Sequence, residues 1–590
     1  MRKFTGYGLL VASIMGLYGC NSGNNISSDA TNLSAGQQPA TKSTNVAKLA
    51  SKSDALTKDG YLPLKIVNAT GLSNQPVYIF AKAGLKENPN DDNSSVVDCI
   101  ISFNQDGIGS CIKVDSNTDI AKYASVSLNQ LPHDSAGNAI VYIPHVLSGR
   151  MYFSVASPLS LSLIKDADNH LRIVDPDGFK PRDVNYYTLY DKVEFSFVND
   201  YLDKDGHEQK GGVWFNPTAV DFFSLPMQIE DPTSVTFNHV GISGSRQEVM
   251  DKIISVMKDN TDAATYSEWS KLILRYHNSA ENSTILRIMS PGKAMVDNIK
   301  GTKPFNKNYL KSYIDALWAY YRKPGHTVTI NCQELESKMK LNNYIFTGHV
   351  DSNDRFVFIN TDGSYPVEIS KPTDSIPFFA GAVGPFDAAN NTPKAIIIRE
   401  LTSAFEAGLL PAPSDTVLNK SYFEHNRSLF YTNNMLLNLT SNGPWYDLYS
   451  KALHSFGSSQ PIYTFAYDDA LGQDGTLHEP NGTNPGMITV TLENMLGTTI
   501  PAPYNDQNHY NVTVQIGETQ SGLKSTIEYN GRNLSQNETV TDVSIPMVIK
   551  VNGITEKLYF NPQMVMPQAD GIVINQETGT NNVVIQFPGP

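Results

Sequence analysis

The stretch KVEFSFVNDYLDKDGHEQKGGVWFNPTAVDFFSLPMQIE, Lys192–Glu230, holds two apolar runs separated by a polar excursion. The first run alternates, which predicts a β-strand with Glu194 and Ser196 facing out, opposite the core. Residues 200–212 are rich in charge and glycine, which predicts a solvated loop. The second run returns to strand chemistry and carries Asp221 beside two phenylalanines. The sequence therefore predicts one carboxylate on each of two successive strands.

The Asn216-Pro217 pair interrupts the second run. Proline has no N–H for a sheet ladder, so the pair predicts a kink in the strand. Trp214 and Thr218 have the same parity along the strand, whereas Asp221 has the opposite one. We expect the kink to let all three side chains face one groove.

Two carboxylates in one groove indicate the chemistry of glycoside hydrolysis. One protonates the leaving oxygen and the other acts as base or nucleophile; in inverting enzymes the two stand about 6.5–9.5 Å apart. Glu194 and Asp221 are the candidate pair, Trp214 is a candidate stacking platform, and Ser196 and Thr218 are candidate hydroxyl contacts. Because the chain has 59 acidic residues, such a pattern taken alone is more often without a catalytic role.

The same residues resemble the catalytic stretch of a known family. Glu-Phe-Ser-Phe, followed by Trp-x-x-x-Thr-x-x-Asp-Phe-Phe-x-Leu-Pro, is similar to the motif of the glycoside hydrolase family 64 β-1,3-glucanases of the laminaripentaose-producing type, relatives of the thaumatin-like proteins. The resemblance implies that Glu194 is the general acid and Asp221 the general base. It also implies inversion, release of short β-1,3-gluco-oligosaccharides, and sugar contacts for Ser196, Trp214 and Thr218.

Further stretches from about Leu62 to about Leu492 resemble the same family. The predicted fold is mainly β with an α/β insertion: a thaumatin-like β-sandwich or barrel, a mixed α/β domain that forms one wall of an open cleft, and a C-terminal β domain. The predicted segments are the barrel at 61–235, completed by about 458–495, the mixed domain at 236–457, a linker at 496–508 and the C-terminal domain at 509–590. The last is interpreted as a polysaccharide-binding module or a structural spacer.

Helical signals are concentrated in the mixed domain. Ser245 and Glu248 form a capping-box pattern before an apolar helical face. Further helices are predicted over 304–321, from Thr392-Pro393 to Gly408, and over 444–456. After them, Asp468 and Asp469 lie in a segment that resembles the family's Tyr-x-Asp-Asp-type ending, where they either line the cleft or hold a loop.

The N-terminus predicts export. Arg2-Lys3 precedes a short apolar stretch, and residues 1–19 are interpreted as a signal peptide. Leu17-Tyr18-Gly19-Cys20 resembles a bacterial lipobox, which implies lipidation of Cys20 and anchoring at the cell envelope, with the outer membrane or surface favoured; plain secretion is the alternative. Residues 20–60 are polar and aperiodic, which predicts a disordered tether.

Three cysteines remain after Cys20. Cys99 and Cys111 lie on either side of a predicted hairpin turn at 104–107, so an oxidising compartment favours a cross-strand disulfide between them. Cys332 is then left over and is interpreted as a buried thiol.

Composition excludes several other classes of function. A formal net charge of −14 argues against nucleic acid as a partner, because phosphate binding needs a basic surface. The 12 histidines are scattered, and there is no His-Glu-x-x-His, Cys-x-x-Cys, Walker or Gly-x-Ser-x-Gly motif. We therefore predict no metal and no cofactor, and a neutral polysaccharide, β-1,3-glucan, as the partner.

Two alternatives remain open at this stage. In the first, the protein is a catalytically inactive, thaumatin-like, glucan-binding surface lipoprotein. Val198 stands where the family pattern has an asparagine, with Asn199 one position late, and the loop between the carboxylates is long; both features favour that alternative. In the second, the C-terminal domain carries out a structural or host-interaction role.

Overall fold

The computed structural model describes residues 59–86, 96–115, 118, 125–165, 171–179, 183, 185–199, 201–202, 208–209, 211–277, 283–296, 305–331, 345–388, 392–413, 416–432, 443–480, 482 and 484–501, and beyond them the strands between 510 and 587. The predicted signal peptide, Cys20, nearly all of the tether, and Cys332 lie outside the described residues. Among the described residues, no helix combines the length and the apolar character needed to cross a bilayer.

The first part of the chain is built from short strands, as the alternation predicted. They are β1 (Leu62–Asn68), β2 (Val77–Lys86), β3 (Val96–Phe103), β4 (Gly109–Lys113), β5 (Val126–Ser127), β6 (Ala139–Ile143), β7 (Val146–Val155), β8 (Ser162–Lys165), β9 (Leu171–Val174), β10 (Leu189–Val198), β11 (Tyr201–Leu202), β12 (Glu208–Gln209), β13 (Gly212–Pro217), β14 (Phe222–Phe223), β15 (Met227–Glu230) and β16 (His239–Gly241).

Helices and further strands alternate after β16. They are α1 (Arg246–Asp259), α2 (Ala263–Trp269), β17 (Ile273–His277), β18 (Ser283–Met289), α3 (Pro291–Val296), α4 (Lys311–Tyr321), β19 (Val328–Asn331), β20 (Ile345–Val350), β21 (Arg355–Asn360), β22 (Pro366–Ser370), α5 (Ile376–Ala380), α6 (Thr392–Glu406), β23 (Val417–Leu418), α7 (Lys420–His425), α8 (Leu448–His454), α9 (Asp468–Leu471), β24 (Leu477–Glu479) and β25 (Ile488–Leu492).

The C-terminal strands are β26 (Tyr510–Thr519), β27 (Gly522–Tyr529), β28 (Arg532–Asn533), β29 (Thr539–Val540), β30 (Ile545–Val551), β31 (Ile554–Phe560), β32 (Val573–Gln576) and β33 (Asn582–Phe587). They form a six-stranded sheet and the separate β30-β31 hairpin.

Two sheets dominate the first part of the fold. An eight-stranded sheet has the order β24-β13-β10-β7-β2-β3-β4, with β5 paired to β2, and a five-stranded sheet has the order β16-β15-β25-β1-β6. Strands β24 and β25 follow the helix-rich part in the sequence, so the chain returns after the helices to complete both sheets. The helix-rich part contributes the sheets β14-β18-β17 and β22-β21-β20-β19-β23. The mainly β architecture with helical insertions is confirmed.

The predicted helices form with adjusted limits. At the start of α1, Ser245 accepts a hydrogen bond from the Glu248 N–H, and the Glu248 side chain accepts one from the Ser245 N–H, which is the predicted capping box. The predicted 444–456 helix is shorter, because Asp447 accepts the Tyr449 N–H and caps α8 only at Leu448.

The predicted break at Asn216-Pro217 comes later than we expected. Strand β13 continues through Pro217, which pairs with Val193 as its last residue. The chain then leaves the sheet at residues 219–221, and only Phe222–Phe223 return to strand. At this last position of the strand Pro217 takes part through its carbonyl, which accepts the Tyr463 N–H at 3.1 Å, whereas its nitrogen has no hydrogen to donate.

The strand β10 lies between β7 and β13, and its alternate residues lie on the two faces of the large sheet. Its residues Val193, Phe195 and Phe197 are fully buried, as the alternation predicted. The packing is close: a Cβ added at Gly149 would lie 2.5 Å from the Phe195 ring. Towards one edge of the same sheet, the neighbouring strands β3 and β4 are joined by a disulfide between Cys99 and Cys111.

Two buried arginines connect the helix-rich part to the sheets. Arg246 donates from Nη2 to the carbonyls of Ile285 and Leu286 and from Nε to that of Ser224. Arg287 donates to three further carbonyls, those of Gly178, Tyr186 and Thr188. Through these bonds Arg246 ties the backbone at Ser224, three residues after Asp221, to β18.

Candidate active site

Glu194 lies on β10, on the sheet face opposite the apolar core. Its cross-strand neighbours are Arg150 on β7 and Asn216 on β13. The Arg150 guanidinium donates to Glu194 Oε1 from Nε at 2.9 Å and contacts the same oxygen through Nη2 at 2.9 Å. Glu194 is only 5% exposed. The side chain is on the predicted face, but it is buried there rather than exposed to solvent, and the Arg150 guanidinium lies against its carboxylate.

Arg150 is shared between two carboxylates. Its Nη1 donates to Asp175 Oδ2 at 2.8 Å, and the other Asp175 oxygen contacts Lys82 Nζ at 2.6 Å and accepts the Tyr152 hydroxyl. Burial opposes ionisation of Asp175, but Lys82 and Arg150 outweigh it and hold the pKa of Asp175 well below its usual range. Glu194 is therefore one end of a row of alternating charges.

Asp221 lies in the bend between β13 and β14. One carboxylate oxygen contacts the Lys192 ammonium, and the other lies 3.6 Å from Lys293 Nζ. Burial would raise the pKa of Asp221, but Lys192 and Lys293, with Arg150 further away, outweigh it and hold that pKa well below its usual range. Asp221 is consequently ionised.

The bend itself is held by a buried carboxylate on the core side of β10. Asp191 Oδ2 accepts the backbone N–H groups of Ser224 at 2.8 Å and Leu225 at 3.0 Å. The Asp221 carbonyl accepts the Ser290 N–H at 3.0 Å. The backbone on which Asp221 sits is thus tied to both β10 and the end of β18.

Lys192 brings the two candidate carboxylates together. It is two residues before Glu194 on the same strand, so both side chains are on one face with Cα atoms about 7 Å apart. Its ammonium contacts Asp221. The two carboxylates therefore lie near the same part of β10.

Two of the three candidate sugar contacts lie in one cross-strand row, whereas Thr218 follows the end of β13 and bridges to Tyr463. Ser196 is opposite Trp214, and its hydroxyl accepts the Ser148 N–H at 3.1 Å. Trp214 is half-buried and stacks on the His478 ring, with centroids 4.7 Å apart. Thr218 is 3% exposed, and its hydroxyl has no hydrogen-bond partner within the described part of the chain.

Asp468 does not belong to this site. It is fully buried, and its Oδ2 accepts the Thr464 N–H at 2.9 Å and the Thr464 hydroxyl at 2.8 Å. His454 Nε2 lies 2.9 Å from the same oxygen. Of the two open interpretations, holding a loop is therefore the one that applies to Asp468.

The described residues contain no group of three or more His, Cys, Asp or Glu side chains arranged to hold a metal ion. The charged groups of the site are instead paired with one another.

A sequence model of the family described as β-1,3-glucanase, glycoside hydrolase family 64, matches residues 60–492. The chain belongs to this family. The match spans both dominant sheets and the helix-rich part between them, and it includes both candidate carboxylates.

The individual relatives are distant in sequence. The proteins named glucan endo-1,3-beta-glucosidase from Arthrobacter sp. (strain YCWD3) and Cellulosimicrobium cellulans are each 24% identical over 361 residues, 60% of this chain and 54% of theirs. The chain thus spans about half the length of these curated relatives. The crystal structure of a family 64 β-1,3-glucanase domain from Clostridium beijerinckii aligns with 74% of this chain and all of its own, with a TM-score of 0.52 and 21% identity, which shows a shared fold.

Sequence reasoning missed the cations and one amide of the site. Lys192 has the parity of Glu194, which was a usable signal, but Arg150, Asp175 and Lys293 come from distant segments whose register the sequence does not reveal. Asn216 was treated only as part of a kink. It is 1% exposed, its Nδ2 is 3.5 Å from the Thr476 hydroxyl, and its Oδ1 has no partner among the described residues.

Proposed function

We propose that this family 64 protein hydrolyses β-1,3-glucan with inversion, with Glu194 as general acid and Asp221 as general base. The observation that carries the proposal is that Lys192, two residues before Glu194 on the same face of β10, contacts the Asp221 carboxylate in the neighbouring bend. Family membership and the names of the two curated relatives support the substrate class.

Both carboxylates contact cations, Glu194 through Arg150 and Asp221 through Lys192 and Lys293. Asp221, kept ionised by its lysines, takes a proton from the water that attacks the anomeric carbon. The glycosidic C–O bond breaks, and Glu194 gives its proton to the leaving oxygen. Arg150 lies where negative charge appears on Glu194 during that transfer, so it stabilises the charge at the moment it develops.

The neighbouring polar groups suit a glucan. Trp214 offers an indole for stacking against a sugar ring. Thr218 Oγ1 and Asn216 Oδ1 are buried and have no hydrogen-bond partner among the described residues, which is costly unless a ligand or water completes them. Ser196 adds a hydroxyl in the adjacent row. We assign these residues to hydroxyl recognition on the sugars beside the cleaved bond and expect short β-1,3-gluco-oligosaccharides as products.

The test is turnover and binding by the purified full chain and two isosteric variants. Glu194→Gln and Asp221→Asn are expected to lose at least a thousandfold in reducing-end release from linear β-1,3-glucan while still binding it. Asp251→Asn, which changes an exposed carboxylate on α1, is the matched control and is expected to keep full activity. Near-full activity in either site variant contradicts the assignment.

Azide separates the two roles. Azide needs no deprotonation, so it replaces the water that Asp221 would activate. We expect it to restore activity to Asp221→Asn with an α-glycosyl azide as product and to leave Glu194→Gln inactive on glucan. Rescue of the Glu194 variant alone would reverse the two assignments.

Two observations favour the second candidate, a catalytically inactive glucan-binding protein. Both candidate carboxylates are ion-paired in the free protein, and Val198 replaces the family asparagine. Retained glucan binding by the wild-type chain without any product would establish this alternative.

The proposal extends to location. Lipidation at Cys20 would tether the protein at the bacterial cell envelope after removal of residues 1–19, whereas cleavage without lipid would release it. Mass spectrometry of the mature N-terminal peptide distinguishes a diacylglyceryl cysteine from a plain one, and Cys20→Ser is expected to move the protein into the medium.

A further inference from the structure

Two lysines bracket the Asp221 carboxylate, one at each oxygen. Lys192 on β10 contacts Oδ2, and Lys293 on α3 lies 3.6 Å from Oδ1. Lys192 is 4% exposed, so its charge is placed inside the protein at a considerable desolvation cost. We call Lys192 and Lys293 the lysine pair.

The two lysines reach Asp221 from different parts of the fold. Lys192 belongs to the central strand of the large sheet. Lys293 follows β18, and β18 pairs with β14 directly after Asp221, with Phe222 opposite Met289. The Ser290 N–H donates to the Asp221 carbonyl. The Lys293 ammonium is therefore held near Asp221 by strand pairing as well as by charge.

An aromatic ring lies close to each of the two ammonium groups. Lys192 Nζ lies 5.2 Å from the centroid of the Phe222 ring, and Lys293 Nζ lies 5.0 Å from that of Phe179. Cations at these distances are attracted by the ring faces. Each lysine thus has one carboxylate oxygen and one ring as partners, a geometry that fixes the direction of the Asp221 carboxylate.

The other titratable groups that interact with Asp221 or Lys192 include Arg150 on β7, Asp191 and Tyr190 on β10, and Tyr449 on α8. Burial raises the pKa of Asp191 to about 6. Arg150 also carries positive charge, but it is engaged by Glu194 and Asp175. Burial holds both tyrosines neutral, because it raises their pKa values well above the usual range. The lysine pair therefore supplies the main charge that compensates Asp221.

We propose that Lys192 and Lys293 are positioning residues for the catalytic base, that they orient Asp221 with Oδ1 toward the attacking water, and that they extend hydrolysis into acid solution. This inference rests on the proposed function. Oδ1 is the proton acceptor because its lysine contact is the longer one, whereas Oδ2 is closely occupied by Lys192.

The sign of the effect follows from the charges. A base works only when ionised, so it fails as pH falls through its pKa. Removing a lysine removes the interaction that lowers the pKa of Asp221, and the acid limb of kcat/KM moves to higher pH. An opposite charge within about 4–6 Å lowers the pKa of a carboxyl group by about 1–3. We expect about 2 units for Lys192→Met and about 1 for Lys293→Met, whose contact is longer.

The experiment measures kcat/KM on linear β-1,3-glucan against pH for the full chain and its variants. The kcat/KM of the wild type is expected to stay constant into acid solution. In the two methionine variants the fall in kcat/KM is expected at higher pH, and Lys293→Arg is expected to restore the wild-type profile. Lys252→Met, which removes an exposed lysine on α1, is the control and should leave the profile unchanged. An active wild type whose acid limb is the same in both methionine variants overturns the inference.

A second readout needs no turnover and keeps the two proposals distinguishable. With ¹³C-labelled aspartate carboxyl groups, the Asp221 resonance is identified by its loss in Asp221→Asn. It is expected to remain ionised down to about pH 3 and to titrate at higher pH in Lys293→Met. Ordinary titration near pH 4 in both proteins refutes the lysine pair, whereas the expected shift without hydrolysis refutes only the proposed function. Because Lys293 lies on a short helix outside the core strand, its variant remains informative if Lys192→Met fails to fold.

Discussion

Arg150→Met is the perturbation with the largest expected effect on stability. The variant keeps most of the apolar stem but removes the guanidinium from Glu194 and Asp175. Asp175 retains its contacts with Lys82 and Tyr152 and is partly exposed. The loss of the Arg150–Asp175 contact therefore costs at most about 1 kcal/mol. Glu194 is left as a buried carboxylate without its cation, which costs about 3 kcal/mol.

The assay is urea unfolding of the full chain in a double-mutant cycle with Glu194→Gln. Because glutamine carries no charge, Arg150→Met should cost at least 1 kcal/mol less in the Glu194→Gln background than in wild type. Arg322→Met, which breaks an exposed pair with Asp354, is the control and should cost about 0–1 kcal/mol. Additive effects in the cycle, or a loss from Arg150→Met no larger than the control, would refute the reasoning.

Three further predictions concern other parts of the structure. Thr218→Val removes a buried hydroxyl that has no partner in the described residues; stability should be unchanged or higher, while kcat/KM on glucan falls about tenfold, measured by thermal unfolding and initial rates. Burial raises the pKa of Asp447 to about 6 and that of Glu406 well above its usual range. Both carboxyl groups bind protons more tightly in the folded state, so their contribution to stability is complete below about pH 4 and is lost as pH rises past 6. The free energy of unfolding of the wild type should fall by about 2 kcal/mol relative to that of Asp447→Asn over this interval. Parallel curves of unfolding free energy against pH would contradict this. Gly149→Ala pushes a methyl group into the Phe195 ring and should cost about 1–3 kcal/mol in urea unfolding, whereas a neutral effect would show that the ring can move.

Much of the fold could be predicted because its strands are short and alternate clearly. The alternation in Val193–Phe197 identified the buried face of β10, and the capping box at Ser245 located the start of α1. The predicted end of β13 came too early in the sequence. The missing N–H of Pro217 indicates that the hydrogen-bond ladder ends nearby, but it does not indicate which residue of the strand is the last. The carbonyl of Pro217 is paired with Tyr463, almost 250 positions later, and no local pattern reveals such a contact.

The candidate site was predictable in its carboxylates and not in its cations. Glu194 and Asp221 belong to one continuous motif, so local pattern and family resemblance both point to them. Arg150 and Lys293 reach the same sheet face only through the β7-β10 and β14-β18 pairings. Strand register between distant segments depends on tertiary packing, and the charge balance of the site therefore emerges only from the fold.

The most direct test of the central claim is the configuration of the first product. The full chain is mixed with linear β-1,3-glucan, and the new reducing ends are followed by ¹H NMR before they mutarotate. The account predicts that the α-anomer appears first and that neither anomer appears with Asp221→Asn. An initial β-anomer would show retention and remove Asp221 from the role of base, and glucan bound without any product would show that the carboxylate pair is not catalytic.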